Sequence, residues 1–303
     1  MVLIVWLGFF LSIGSSETYL HASDEDFYKD GSFENHYGFV LESFYAIAET
    51  ISIPLVSVSL FFWTLMCYYV YLLLKLFKPN PLYFLSLFFF SPFVLGFSHT
   101  FTQDIVIMSL ATIFFYYYFS NQKLQTIAAL LFCLLAKISG FFLIPLLSLK
   151  LSKWFPKWKW MFWGTALLTS AFVFAWYGLS LAFDYKRIFL LAGLPMLFFY
   201  WILVWIDWKE NKFKTVMLFF LATVLFSSFY FALPQNINEG PLLLIARYSL
   251  LFYPVSVLAV SSILTRKPFL WLTVFVLLSL SFFFPVLWNF GLWPLKPVWS
   301  LLF

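Results

Sequence analysis

The chain has 303 residues, of which 63% are hydrophobic and only 10% charged, and 44 are phenylalanine. Those proportions exclude a water-soluble globular domain, whose surface needs charge, and leave charge-free runs long enough to cross a bilayer. The excess of 18 basic over 13 acidic residues reads as membrane topology and not as nucleic-acid binding, because basic residues collect in cytoplasmic loops.

In chain order, the opening MVLIVWLGFFLSIG has no basic segment before it and no small-residue cleavage site after it. A short first transmembrane helix is expected there, not a signal peptide. An acidic outer loop follows. Glu17, Asp24, Glu25, Asp26, Asp30, Glu34, Glu42 and Glu49, eight of the thirteen acids, lie in this loop and the helix after it. Residues 38–50 predict that helix along the membrane surface, with Glu42 and Glu49 on one face and Phe39, Leu41, Phe44, Tyr45 and Ile47 around the rest.

Stretches without Asp, Glu, Lys or Arg then run over 51–74, 79–103, 105–122, 124–136, 138–149, 160–183, 188–206, 215–238, 248–265 and 268–295. A hydrocarbon core takes roughly 20 helical residues, so 124–136 and 138–149 are too short to cross alone. They are expected to form the two legs of a hairpin broken at Lys137-Ile138-Ser139-Gly140, facing a cavity that covers the freed backbone. The predicted fold class is an all-α polytopic membrane protein of eleven crossing or partly crossing helices, with 151–303 adding further transmembrane helices and no soluble domain. With the N-terminus cytoplasmic, the inner loops collect Lys75, Lys78, Lys123, Lys150, Lys153, Lys157, Lys159, Lys209, Lys212, Lys214, Arg266 and Lys267. The outer side holds Lys29, Lys186, Arg187, Arg247 and Lys296, a ratio of 12 to 5 that obeys the positive-inside bias. Cys67 and Cys133 lie inside apolar runs, where neither a disulfide framework nor a zinc site can be assembled.

Three constellations can carry chemistry. In SDEDFYKDG, residues 23–31, crowded carboxylates raise the pKa of at least one of them, which suits a general base. A solvated loop is the plain alternative. In HTFTQDIVIMSLATIFFYYYF, residues 99–119, Asp104 opens an apolar helix where the macrodipole favours a carboxylate, and an N-terminal cap would explain it equally. His99 precedes it on the same outer side, without metal-ligand spacing. Lys137, deep in LLFCLLAKISGFFLIPLL, is a functional candidate by depth alone, or else snorkels to the interface. Arg247 offers a second anion contact on the same side.

The order of these features resembles the GT-C superfamily of membrane glycosyltransferases, in its protein O-mannosyltransferase and aminoarabinose-transferase branch. The resemblance covers 1–150 and rests on the short first helix, the outer Asp-Glu-x-x-Tyr of Asp24, Glu25 and Tyr28, the surface helix, Asp104 opening a later helix, and the LLAKISG break from Leu134 to Gly140. It implies an inverting transfer of a sugar from a polyprenyl or dolichyl phosphate carrier to an acceptor at the extracytoplasmic face. Asp24, with Glu25, would match the catalytic carboxylate, Asp104 a second one, and Lys137 a cation on the carrier phosphate. Tyr28 of the same motif, and His99 and Arg247 from their outer positions, are the remaining candidate substrate contacts. Carboxylates and phosphate sharing a site leave a divalent metal, Mg or Mn, as an open requirement. The partners implied are the lipid-linked donor and membrane lipids. Sugar and acceptor stay open. A transporter or flippase for lipid-linked solutes and a catalytically silent membrane scaffold are the competing readings, the first because broken helices with a deep lysine also serve transport.

Overall fold

The computed structural model describes residues 39–53, 56–89, 103–176, 213, 215–216 and 250–271. Among them the regular structure is helical, with no strand. The helices are α1 (Phe39–Thr50), α2 (Val56–Phe77), α3 (Pro81–Phe89), α4 (Gln103–Phe119), α5 (Lys123–Ala136), α6 (Leu143–Trp154), α7 (Lys159–Trp176) and α8 (Tyr253–Arg266). Short 3-10 turns occupy Ile138–Phe142, Pro156–Trp158 and Leu250–Phe252. The all-α class therefore holds for these residues. The helix expected at 1–14, and most of the stretches 188–206, 215–238 and 268–295, lie outside them. At 22 residues, or about 33 Å, α2 is the one described helix both long and apolar enough to cross a bilayer.

Helix boundaries follow local chemistry. The Asn80 side-chain oxygen accepts the Leu82 N–H at 3.0 Å, capping α3, whose first residue is Pro81. Lys78 closes α2 at φ 51°, and its N–H donates to the Leu74 carbonyl at 2.8 Å. Asn121, one of the residue types that tolerate the left-handed region, turns the chain between α4 and α5 at φ 61°. Among the described residues of the charge-free run from 248, Leu250–Phe252 form a 3-10 turn and the α-helix starts at Tyr253, where Pro254 fits a first helical turn and not an interior one.

Parallel α2 and α4 make the core. The Ser109 hydroxyl lies 2.7 Å from the Phe62 carbonyl of α2 and 2.7 Å from Ile105 O of its own helix, while the Tyr69 and Tyr117 hydroxyls meet at 2.8 Å. Trp63, Phe62, Phe114 and Phe115 fill the space between and around them. A three-residue turn sends α5 back along α4, antiparallel to it. Almost fully buried α8 packs antiparallel on α3, since Asn80 N–H donates to Thr265 Oγ1 at 2.7 Å while Phe88 meets Tyr253 at 6.0 Å.

At one end, α2, α4, α5, α6 and α8 all begin or finish together. Phe77 meets Phe119 at 5.0 Å and Phe213 at 4.6 Å, and the Lys123 ammonium sits 4.8 Å from the Phe155 ring and 6.0 Å from Trp154. Hence the chain leaves along α5, breaks near Lys137, and returns along α6 to the level it started from. Nine described basic residues, Lys75, Lys78, Lys123, Lys150, Lys153, Lys157, Lys159, Arg266 and Lys267, lie in or beside the elements meeting at this end; the tenth is Lys137. The three described acids lie away from it, Glu42 and Glu49 on α1 and Asp104 at the start of α4.

Candidate functional site

Lys137 is where α5 stops. Its own N–H still donates to the Cys133 carbonyl at 3.1 Å, but its backbone is extended at φ −160° and ψ 143°. The next helical α-turn begins at Leu143, after the 3-10 segment Ile138–Phe142. Pro145 explains the gap. In the first turn of α6 it costs nothing, whereas in an uninterrupted helix its ring would strike the carbonyl of residue 141. Gly140 explains how the break closes: a Cβ there would stand 2.7 Å from the Cys133 carbonyl oxygen and 3.0 Å from the Leu134 nitrogen, so backbone packs directly on backbone.

Two polar side chains are enclosed in this break. Lys137 is 9% exposed, a burial that an ammonium sustains only in an environment built for it. Ser139 is 1% exposed, and its Oγ is the one buried side-chain polar atom among the described residues with no hydrogen-bond partner. Thr112, Thr126, Ser256 and Ser261, buried in α-helices, each bond the carbonyl four residues back, as Thr112 does to Met108 at 2.7 Å and Ser256 to Phe252 at 2.9 Å. Ser139 lies in a 3-10 turn, where that carbonyl is not presented. Sequence reasoning passed over it; the signal was a hydroxyl set between the lysine and the glycine of the break.

Because α4 and α5 are antiparallel across a three-residue turn, the first turn of α4 stands level with the end of α5. Asp104 belongs to that turn, as the second residue of α4 and not as its cap, where the helix macrodipole favours a carboxylate. The structure thus brings Asp104 and Lys137 to the same end of adjacent helices. Asp24, Glu25, Tyr28, His99 and Arg247 lie outside the described residues, as does the acidic loop 23–31.

A cleft of about 390 Å³ lies between α1, α2, α4 and α5, lined by Phe44, Phe61, Leu65, Ile113, Ala129 and Phe132 among others. Phe44 stacks on Phe61 at 5.5 Å and meets Phe62 edge-on at 5.0 Å, which fastens α1 over the cleft. The face of α1 that packs is Val40, Phe44 and Ala48, spaced by four, while Phe39 and Ile47 are exposed. Ala128 and Ala129 leave the room that larger residues on α5 would fill. Polar groups in the lining are few, Gln125 and the Tyr117 hydroxyl already bonded to Tyr69. Among the described residues no three His, Cys, Asp or Glu side chains come together as metal ligands, and Cys67 and Cys133 are buried free thiols.

No protein-family model, curated protein or solved structure matches this chain.

Proposed function

We propose that the chain is a membrane-embedded glycosyltransferase that moves a sugar from a polyprenyl-phosphate carrier to an acceptor hydroxyl, at the end of the bundle away from the lysine-rich end. The observation that carries this reading is Lys137: a buried cation at a helix break, level with the helix turn that holds Asp104 and about 7.5 Å along α5 from Phe132 in the cleft. Apolar outer faces support the membrane setting. On α5, Leu124, Ile127, Leu131 and Leu135 form an exposed stripe at helical spacing, and on α7 Trp160, Trp163 and Leu167 form another.

The chemistry follows from the parts. The acceptor oxygen attacks the anomeric carbon, the bond from that carbon to the phosphate oxygen breaks with inversion, and the acceptor proton passes to a carboxylate. Asp24 is the proposed base, with Glu25 and Asp104 shaping its charge, since proton removal by a positioned carboxylate is worth about 10² to 10⁴ in rate. The leaving phosphate keeps the electron pair, and a fixed ammonium such as Lys137 stabilises the charge that develops there. An isoprenoid chain suits the aromatic cleft, because both are apolar and the cleft is bordered by the exposed stripe of α5. Tyr28 is assigned to donor binding on the resemblance, and His99 and Arg247 on their expected outer position.

The test uses the full chain in lipid vesicles, supplied with radiolabelled polyprenyl-phosphate sugars. Transfer by wild type that falls at least about 100-fold in Asp24→Asn or Asp104→Asn, with the helical spectrum kept, supports the assignment. Transfer that survives Asp24→Asn removes that base, and no transfer from any carrier removes the transferase reading. The same buried lysine at a broken helix favours transport as the second reading, and carrier-driven uptake of label into the vesicles without glycosylated product would establish that one instead.

A further inference from the structure

Where α6 hands over to α7, five lysines are interleaved with aromatic rings, and this corner belongs to neither the break nor the cleft. The Lys150 ammonium lies 4.7 Å from the Tyr118 ring and 5.7 Å from Trp154, Lys123 lies between Phe155 and Trp154, and Lys159 is 5.7 Å from Trp160. Lys153, Lys157 and Lys159 are exposed, together with Trp158 at 59% and Trp160 at 82%. Ring faces orient these ammonium groups but do not neutralise them. Among the described residues no carboxylate stands at this end, and the inner loops expected from the sequence set only Asp207 and Glu210 against their twelve basic residues. Like charges so crowded repel, so an external anion gains from binding here. Exposed indole beside lysine fits the headgroup level of a bilayer, with rings among the headgroups and the apolar face of α7 running on from Trp163 to Leu167 and Leu168.

We propose that this corner binds anionic phospholipid headgroups of the leaflet at the lysine-rich end, the phosphate held by Lys153, Lys157 and Lys159 and the acyl chains lying along α7. The inference rests on the membrane setting and is independent of any transferase chemistry. A headgroup phosphate accepts hydrogen bonds from several ammonium groups at once, and the short Pro156–Trp158 turn keeps the exposed Lys153, Lys157 and Lys159 within six residues of chain, without a long flexible loop.

The experiment takes the full chain from detergent and counts retained lipids by native mass spectrometry, offering equal phosphatidylglycerol and phosphatidylcholine. Expected is a preference for the anionic lipid of about tenfold or more, falling by roughly fivefold in Lys153→Gln or Lys157→Gln and lost in the triple variant with Lys159→Gln. The Lys75→Gln/Lys78→Gln variant, on another part of the same end, keeps the preference. Equal retention of the two lipids by wild type overturns the proposal, as does an undiminished preference in the triple variant. Displacement of the lipid by inorganic phosphate, at an ionic strength where chloride displaces none, overturns it in favour of a free-anion site. Release of the chain from vesicles by alkaline carbonate would remove the membrane setting itself, and the proposal with it, whereas a chain that stays embedded without lipid preference leaves the transferase reading untouched.

Discussion

Lys123 and Lys137 bracket one helix and live in opposite surroundings. Lys123 opens α5 in water's reach, over the faces of Phe155 and Trp154 and among eight other basic residues. Lys137 closes the same helix at 9% exposure, as the only described cation away from that end, beside a hydroxyl with no partner. A residue type that is cheap at the surface becomes costly inside, and the fold meets that cost with a broken helix, a glycine against backbone and a proline that prevents repair. The comparison teaches that the end of α5, and not its beginning, is where structure has been arranged around charge.

Substitutions along this helix break or sharpen the contrast. The largest effect is expected from Gly140→Ala, whose new methyl would stand 2.7 Å from the Cys133 carbonyl oxygen. A loss of about 1–3 kcal/mol in detergent unfolding is expected, and an unchanged midpoint would mean that the break is loosely packed. Lys137→Met keeps the length and apolar stem but removes the charge. Donor binding should weaken about tenfold to a hundredfold, the worth of one charge-assisted contact, while the folded protein survives. Collapse of the fold, measured by size exclusion, would assign Lys137 a structural task instead. Ser139→Ala deletes a buried hydroxyl that bonds nothing, so stability should rise by about 1 kcal/mol; a fall shows that the hydroxyl is satisfied within the protein. Lys123→Gln is the smallest, within about 1 kcal/mol in the same unfolding measurement, and a larger loss would erase the distinction between the two lysines.

Much of the helix order was readable from the chain. Runs free of charge located α2, α4 and α5, and the polar interruption at 137–140 located the break, because an apolar helix has nowhere to hide an ionised group or a free carbonyl. The start of α8 was less legible: the run from 248 was continuous in polarity, and Pro254 sits in the first turn of a helix that follows the 3-10 turn Leu250–Phe252. Ser139 was invisible as an exception, since a serine in an apolar helix ordinarily bonds the carbonyl behind it, and only the 3-10 geometry denies it one. The packing face of α1 also escaped the pattern, because its apolar residues surround the helix and tertiary contacts chose Val40, Phe44 and Ala48.

Composition and the spacing of charges thus determined that the described chain is helical, where α2, α4 and α5 run, and which end collects the lysines, since these depend on hydropathy and propensity along one dimension. Only the tertiary structure decided which helices lie side by side, that Asp104 stands level with Lys137, that α1 roofs an aromatic cleft, and that Gly140 must have no side chain. Those are matters of distance between residues far apart in the chain, fixed by shape and close packing, which a linear pattern does not carry.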